Sequence, residues 1–401
     1  MNGEISSIEK GNHFHRYLGF AISLIEKYDG KEPFHLYLKK YFSQNKKHGS
    51  RDRKMISSIC YGYFRLAFGV SSQLASEEKL LLGIFLTENR SNKLLQLFKP
   101  DWNEKIAGDL NSKIESVKNI FDLQKIFSFK DELSREIDAE KFNLSFLIQP
   151  KLFIRIRPGK EREVLNKLKK AKMDFEIFGE NCLAFENNQR IEGIFSLNEE
   201  LVIQDFNSQQ TENLLKKYLS SDSKEISLWD CCAASGGKSI LAKDLFQNIK
   251  LTVSDTRKSI IQNLRIRFHE AGIDNYSSFI ADLSEESSLK KIAQSFDVII
   301  ADVPCSGSGT WSRTPADLLF FQRNQIQKYA ALQKKIVFNT TKKLEPAGYL
   351  LYITCSVFAK ENEENVKWIC EQTGLKLIES GYLKGYEKHA DTLFAALFRK
   401  E

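Results

Sequence analysis

The sequence lacks the features that mark membrane and secreted proteins. No apolar run in its 401 residues approaches the roughly 20 residues that a transmembrane helix needs. The N-terminal stretch MNGEISSIEKGNHF has no apolar signal core. These absences argue against a membrane partner and predict a cytoplasmic protein.

The sequence also lacks a disulfide framework and the spacings of a metal site. Its seven cysteines are an odd number, and their positions suggest no regular pairing. There is no CxxC and no Cys-His pair at ligand spacing, so we predict no bound metal. Cys60, Cys182 and Cys370 fall inside apolar patterns and are expected in the core. In a reducing compartment the cysteines stay as thiols, which keeps thiolate chemistry available.

Acidic residues are scarce in one short stretch. The chain carries a net charge of +7, and residues 1–70 hold twelve Lys and Arg against six Asp and Glu. Most of that excess lies between Lys39 and Lys54, where seven basic residues accompany Asp52, Tyr41 and Phe42. A basic cluster with interleaved aromatics is typical of a nucleic-acid footprint. A solvated helix face explains the same charges, and the sequence leaves both readings open.

The periodicity of apolar residues divides the chain into three predicted domains. Residues 1–148 carry them at three- and four-residue spacing with almost no Pro, which predicts an all-α domain with a break at Gly49-Ser50. Residues 149–208 read as a small α+β module. Residues 209–401 alternate strands and helices, which predicts an α/β domain with a doubly wound parallel sheet.

Five strands are predicted in the last domain. They are ISLWD (226–230), LTVSD (251–255), SSFIAD (277–282), FDVIIAD (296–302) and GYLLYIT (348–354). Four of them end in Asp. Ligands of open α/β sheets bind outside the carboxyl ends of the strands, so these acids indicate a binding edge.

A small-residue loop, CAASGGK, follows the first of these strands. Small side chains let the backbone approach a ligand closely, and the next helix offers free N–H groups. Asp255 closes the following strand, where an acid commonly receives ribose hydroxyls, so an adenosine-type cofactor is indicated. A phosphate-binding loop of an NTPase is an alternative, but Cys232 stands where that motif requires Gly.

Two further loops each place a cysteine just beyond an apolar strand. Cys305 lies in ADVPCSGSGT and Cys355 in YITCSVFAKENEEN, and Ser follows each. A single cysteine there is most often a small buried hydrophobe. Two thiols delivered to the same sheet edge instead suggest covalent chemistry.

Together, DCCAASGGK, ADVPCSGSGT and YITCSVFAKENEENV resemble the three signature loops of the Sun/RsmB-type (NOP/Sun) RNA cytosine-5 methyltransferases. The resemblance covers roughly residues 150–401 and includes VIQDFNSQQ and RTPAD. The GSRDRK and YGYFRL segments near the N-terminus also look like the NusB-type RNA-binding domain of the rRNA-modifying branch. The resemblance implies a Rossmann-like class I methyltransferase domain, preceded by a small, ferredoxin- or RRM-like α+β module and the helical domain.

The resemblance also implies roles for individual residues. Cys355 would be the nucleophile that adds to carbon 6 of cytosine, and Cys305 would assist product release. Asp302 would hydrogen-bond the polar edge of the base, and Lys238 would add positive charge that lowers the pKa of the thiol. Trp311 could stack on RNA, or it could pack in the core.

S-adenosylmethionine is the cofactor that the resemblance implies. Asp255 would bind its ribose and Asp282 would lie near its adenine, although a helix N-cap is the other reading of Asp282. The remaining cofactor-binding residues would be Cys232, Ala233, Ala234, Ser235, Gly236, Gly237, Lys238 and Asp302. Ser235 departs from the family, which commonly has Pro there, and this loosens the φ angle of the loop.

Three alternatives concern the substrate and the activity. DNA cytosine-5 methyltransferases use the Pro-Cys cysteine and an ENV motif, but Glu364-Asn365-Val366 here follows the Thr-Cys loop, which favours RNA. A non-catalytic ribosome-assembly factor would keep the fold and the basic cluster. Small-subunit (16S) rRNA is the expected substrate of a monomeric enzyme, and tRNA is the alternative.

Overall fold

The computed structural model describes residues 2–187, 189–219, 225–246 and 248–401. The chain forms two compact units. The helical unit comprises 1–131, 138–149 and 311–322, and the sheet unit comprises 132–137, 150–310 and 323–401. Both units are discontinuous in sequence, whereas the predicted domains are continuous, and the predicted boundaries stay a prediction.

In the described residues, the helical unit begins with eight α-helices, of which the last is reached through a longer segment with two short 3-10 helices, Leu123–Lys125 and Lys130–Glu132. The α-helices are α1 (Asn2–Lys27), α2 (Phe34–Gln44), α3 (Ser50–Leu66), α4 (Ser76–Thr87), α5 (Lys93–Phe98), α6 (Pro100–Lys105), α7 (Leu110–Ser116) and α8 (Ala139–Phe146). The predicted break is confirmed, because Gly49 is the N-cap of α3 and its N–H is bonded to Asp52. The lysines of the basic cluster are exposed, but Phe42 is buried and cannot stack on a nucleic acid.

The small sheet has four antiparallel strands in the order β2-β3-β1-β4. The strands are β1 (Leu152–Ile156), β2 (Glu176–Ile177), β3 (Cys182–Phe185) and β4 (Leu201–Ile203), and α9 (Glu161–Ala171) follows β1. Val164 and Leu168 of α9 pack on Ile154 and Leu183 of the sheet. Two short helices, α10 (Phe206–Gln210) and α11 (Asn213–Lys216), lead to the large sheet.

The large sheet has seven strands in the order β10-β11-β9-β8-β5-β6-β7. Its strands are β5 (Ile226–Asp230), β6 (Ile249–Asp255), β7 (Tyr276–Ile280), β8 (Phe296–Asp302), β9 (Leu344–Thr354), β10 (Lys376–Leu383) and β11 (Leu393–Arg399). The first five run parallel, and β11 lies antiparallel between β9 and β10. The predicted Rossmann-like methyltransferase fold is confirmed.

The helices of the large sheet are α12 (Gly237–Leu245), α13 (Lys258–Glu270), α15 (Asn324–Thr341) and α16 (Glu363–Thr373). Between α13 and α15, α14 (Pro315–Phe320) belongs to the helical unit. The chain order of the sheet reverses at β5, with β6 on one side and β8 on the other, and such a switch point opens a crevice at the carboxyl ends of the strands. No helix in the described ranges is long and apolar enough to cross a membrane.

The structure decides the two readings of Trp311. Its side chain is 1% exposed and packs against Phe127, Phe129 and Phe321 within the helical unit. A ring with almost no exposed surface cannot stack on a base, so the packing reading is correct.

Candidate active site

The small-residue loop turns sharply from β5 into α12. Gly236 is the N-cap of α12 and has φ +80°, a conformation that favours glycine. A Cβ at this position would lie 2.5 Å from the Phe268 ring of α13. Gly236 therefore serves the turn and its packing, while its neighbours line the cavities described below.

Replacing Gly236 with Ala should lower the free energy of unfolding by about 2–4 kcal/mol, because positive φ and a steric clash both oppose the methyl group. Gly272→Ala is the matched control, since Gly272 has φ +67° but no atom within 4 Å of an added Cβ. Urea unfolding measures both. Equal losses for the two variants would show that the contact with Phe268 contributes nothing.

Two adjoining cavities open at the carboxyl edge of the sheet. The larger cavity, of about 570 Å³, is lined by Asp255, Asp282 and Cys305 among others. The smaller cavity, of about 270 Å³, is lined by Ala233, Ser235, Gly237 and Lys238 among others. Both are lined by Cys232, Ala234, Asp302 and Cys355. Of the predicted site residues, only Gly236 lines neither cavity.

The acid that ends β6, Asp255, and the acid just beyond β7, Asp282, lie on the wall of the larger cavity. Asp255 accepts hydrogen bonds from Arg257 and from the Ala234 N–H at 3.2 Å. Burial alone would raise the pKa of Asp255, but these bonds hold it below the usual value, so the group is a carboxylate. Asp282 lies two residues beyond β7 and accepts bonds from the N–H and hydroxyl of Ser284, at 3.0 and 2.7 Å. Asp282 thus both stabilises a turn and faces the cavity.

Asp230, at the end of β5, is a site residue that the motifs did not single out. It is 1% exposed, and one oxygen accepts a 2.6 Å bond from the Ser239 hydroxyl. Among the residues that the structure describes, the other oxygen has no hydrogen-bond partner. Burial raises the pKa of Asp230 to about 7. The strand-end pattern of acids was the available signal for this residue.

The two cysteines that the sequence places fifty positions apart meet at this edge. Cys305 follows β8, Cys355 follows β9, and their sulfurs lie 3.2 Å apart as free thiols. The Cys355 N–H also donates to the Cys305 sulfur at 3.3 Å. Since β8 and β9 are adjacent parallel strands, their carboxyl ends deliver both side chains to one point.

The environment distinguishes the two thiols. The hydrogen bond with Cys355, followed by burial and the charge of Glu361, raises the pKa of Cys305 well above its ordinary value. Cys305 is therefore the thiol that keeps its proton more firmly, and the contact between the two sulfurs can form with either one as the donor.

Lys238 lies in the first turn of α12 and faces the smaller cavity. Its ammonium group is 2.7 Å from Asp302 and 3.3 Å from the Ser208 hydroxyl. Burial opposes the charge of Lys238, but Asp302 outweighs it and the pKa is raised. The pair therefore places a fixed cation and a carboxylate beside the two sulfurs.

Glu361 holds the two cysteine loops together, and sequence reasoning missed it. Its carboxylate is 0% exposed. One oxygen accepts from the Ser306 N–H at 2.9 Å and from Gln333 at 2.8 Å. The other accepts from the Ser356 hydroxyl at 2.7 Å. Ser306 and Ser356 directly follow the two cysteines, so one buried side chain fixes both loops.

Comparison with known proteins identifies this arrangement. Residues 217–391 match the family model described as "16S rRNA methyltransferase RsmB/F". A mouse protein named 28S rRNA (cytosine-C(5))-methyltransferase is 30% identical over 167 residues, which are 39% of this chain and 20% of that protein. Ribosomal RNA small subunit methyltransferase B of Xanthomonas campestris is 28% identical over 144 residues, 36% of this chain and 33% of that protein. The matches thus span a third or less of these relatives.

Solved structures agree on the fold. The structure described as PH0851 covers 92% of this chain and 95% of its own, with a TM-score of 0.66 at 18% identity. NSun6 from Pyrococcus horikoshii, solved with SFG, has a TM-score of 0.58 at 16% identity and covers 69% of this chain and 97% of its own. With three signature loops meeting at one sheet edge, residues 217–391 of the chain are thus similar to the Sun/RsmB-type RNA cytosine-5 methyltransferases.

Proposed function

We propose that this protein transfers a methyl group from S-adenosylmethionine to carbon 5 of a cytosine in RNA. The observation that carries the proposal is the pair of free thiols, whose sulfurs lie 3.2 Å apart at the carboxyl edge of the sheet. A single thiol would serve as a nucleophile, but a nucleophile with its own proton donor suits a covalent adduct that must later be released.

The residues divide the chemistry between them. The Cys355 thiolate adds to carbon 6, which makes carbon 5 nucleophilic, while Asp302 hydrogen-bonds the N3 edge of the base and favours its protonation. When bound, S-adenosylmethionine would supply the electrophilic methyl group to carbon 5, with S-adenosylhomocysteine as the leaving group. The proton on carbon 5 and the proton taken up at N3 then leave to solvent, the C5=C6 bond re-forms, and the C6–S bond breaks with its electron pair on Cys355. The S–H of Cys305 stabilises that departing thiolate.

The residues present fit the cofactor. A sulfonium and an α-ammonium group are both cationic, and Asp230, Asp255, Asp282 and Asp302 all face the two cavities. Asp255 is ionised and is bonded to Arg257, and its carboxylate oxygens can also accept hydrogen bonds from ribose hydroxyls. The oxygen of Asp230 that has no partner in the described part of the chain offers an acceptor for a polar hydrogen.

Ser235, where the family commonly has Pro, is held in place by Arg267. The guanidinium donates to the Ser235 hydroxyl at 2.9 Å and carbonyl at 3.2 Å, and also to Asn198 of the small module at 2.7 Å. We expect Arg267→Gln to weaken S-adenosylmethionine binding about three- to tenfold, since a hydrogen bond from a charged group is removed. Adding Ser235→Pro should restore the affinity by fixing φ.

Isothermal titration with S-adenosylmethionine measures this effect. Arg265→Gln is the control, because Arg265 lies on the same helix but bonds Ser278 instead of the loop. Unchanged binding by Arg267→Gln would mean that the loop keeps its conformation unaided.

For the substrate we propose 16S rRNA, acted on in the cytoplasm by a monomer. The matching family model bears that substrate in its description. The exposed lysines of the basic cluster give the helical unit a cationic surface suited to RNA. A mouse relative, 29% identical over 150 residues, is named tRNA (cytosine(72)-C(5))-methyltransferase NSUN6, so tRNA is the second candidate. The cytosine must be unpaired or flipped for a thiol to reach carbon 6.

Bisulfite sequencing of rRNA and tRNA from cells with and without this protein separates these substrates. We expect one protected cytosine in 16S rRNA to become unprotected when the protein is removed. If protection is lost only in tRNA, the substrate is tRNA and not 16S rRNA. An unchanged pattern, together with no transfer from labelled S-adenosylmethionine to unmodified rRNA, would favour a non-catalytic assembly factor.

A further inference from the structure

A third cavity lies beside the two that hold the proposed chemistry. It measures about 450 Å³ and is bounded by α10, α11, β10 and the segment that joins β10 to β11. Asp205 and Asp391 line the smaller cavity, while Phe206 and Lys388 line this third cavity. The two cavities therefore lie on opposite sides of one ridge.

Hydrogen bonds hold that ridge in place. The Asp391 N–H donates to Asp205 at 3.0 Å. The amide of Asn207 donates to the carbonyls of Leu383 and Asp391, at 2.9 and 2.8 Å. Asn207 is 2% exposed, so these bonds are shielded from water. A wall fixed in this way is preorganised for a ligand.

The lining of the third cavity suits a nucleotide. Lys217, Lys384 and Lys388 face one acid, Glu379, which leaves a net positive charge. Lys217 is paired with Glu379 at 2.8 Å, whereas Lys388 lies 4.9 Å from the centre of the Phe206 ring. The lining also includes the side-chain amides of Gln210 and Asn213, which bond each other at 2.7 Å and keep further donor and acceptor positions for a base edge.

Gly381 of β10 lines the third cavity and leaves free space beside its backbone. An added Cβ there would meet no atom within 4 Å. β10 is also an edge strand of the sheet. The volume lies within the range of small-ligand sites and leaves room for a base with its sugar.

We propose that this cavity binds the RNA nucleotide that neighbours the target cytosine, with Lys384 and Lys388 on its phosphates. This inference rests on the proposed function, because it takes RNA as the ligand. The ridge of Asp205 and Asp391 then separates the target base from its neighbour, so the cavity contributes to the choice of sequence around the target.

The proposal is tested by measuring the binding of the 401-residue protein to unmodified 16S rRNA at several salt concentrations. For the double variant Lys384→Gln/Lys388→Gln we expect a Kd about tenfold higher. The salt dependence of log Kd should become shallower by about 0.7 for each phosphate that the variant no longer neutralises. Lys376→Gln, on the same strand but outside the cavity, is the control. S-adenosylmethionine affinity should be unchanged in both.

A second variant fills the space without changing charge. Gly381→Leu should raise the Kd for the RNA, with the salt dependence kept and urea unfolding close to that of the wild type. Wild-type affinity and salt dependence in both the lysine variant and Gly381→Leu would overturn the subsite. Methyl transfer is measured separately: a wild-type protein that binds RNA through this cavity but transfers no methyl would refute the proposed function and leave the subsite standing.

Discussion

Cys355→Ala should abolish methyl transfer, with a fall in rate of at least about a thousandfold, because the proposed nucleophile for carbon 6 is removed. Cys305→Ala should behave differently. The thiolate of Cys355 can still add, but the departing sulfur no longer has the S–H that lies 3.2 Å away in the wild type. A covalent protein–RNA complex is then expected to accumulate.

Labelled S-adenosylmethionine and RNA, followed by denaturing electrophoresis, measure both outcomes. Cys370→Ala is the control, since Cys370 is a partly buried free thiol outside both cavities. If Cys305→Ala is the variant that forms no adduct, the two roles are exchanged and the chemistry follows the DNA enzymes. If neither variant forms an adduct and both still transfer the methyl group, covalent catalysis by these cysteines is refuted.

Glu361→Gln should lower kcat about a hundredfold while leaving the Kd for S-adenosylmethionine within about twofold. Displacing reacting groups by about 1 Å costs that much in rate. A glutamine keeps the size of the side chain but replaces one acceptor oxygen with a donor, which faces either the Ser306 N–H and Gln333 or the Ser356 hydroxyl. The two cysteine loops then lose their common anchor, whereas the residues around Asp255 are untouched.

Glu361→Ala should have a larger effect on stability. It removes the acceptor of three hydrogen bonds, from the Ser306 N–H, Gln333 and the Ser356 hydroxyl, and each lost bond costs about 1–3 kcal/mol, so we expect a loss of about 3 kcal/mol in the free energy of unfolding. Glu364→Gln, exposed on α16, is the matched control. A Glu361→Gln protein with wild-type kcat would show that the loops are held by their remaining contacts.

The apolar runs alone predict five of the seven strands of the large sheet, because a strand buried on both faces is apolar throughout. Their ends shift by a few residues. β7 ends at Ile280, two residues before Asp282, and β9 begins at Leu344, four residues before the predicted start. β10 is absent from the prediction because it is an edge strand that is largely not buried, and its residues lack the apolar signal. β11 is also absent from the prediction, although its run LFAALF is apolar and buried and was a usable signal.

The sequence by itself determined the residue types of the site and their order, since each signature loop directly follows its own strand. Only the tertiary structure decided that Cys305 and Cys355 touch, because that depends on β8 and β9 being neighbours in the sheet. It also decided that Glu361 anchors both loops and that Arg267 holds Ser235. Such contacts join residues far apart in the chain, and no local periodicity encodes a distance between two separate turns.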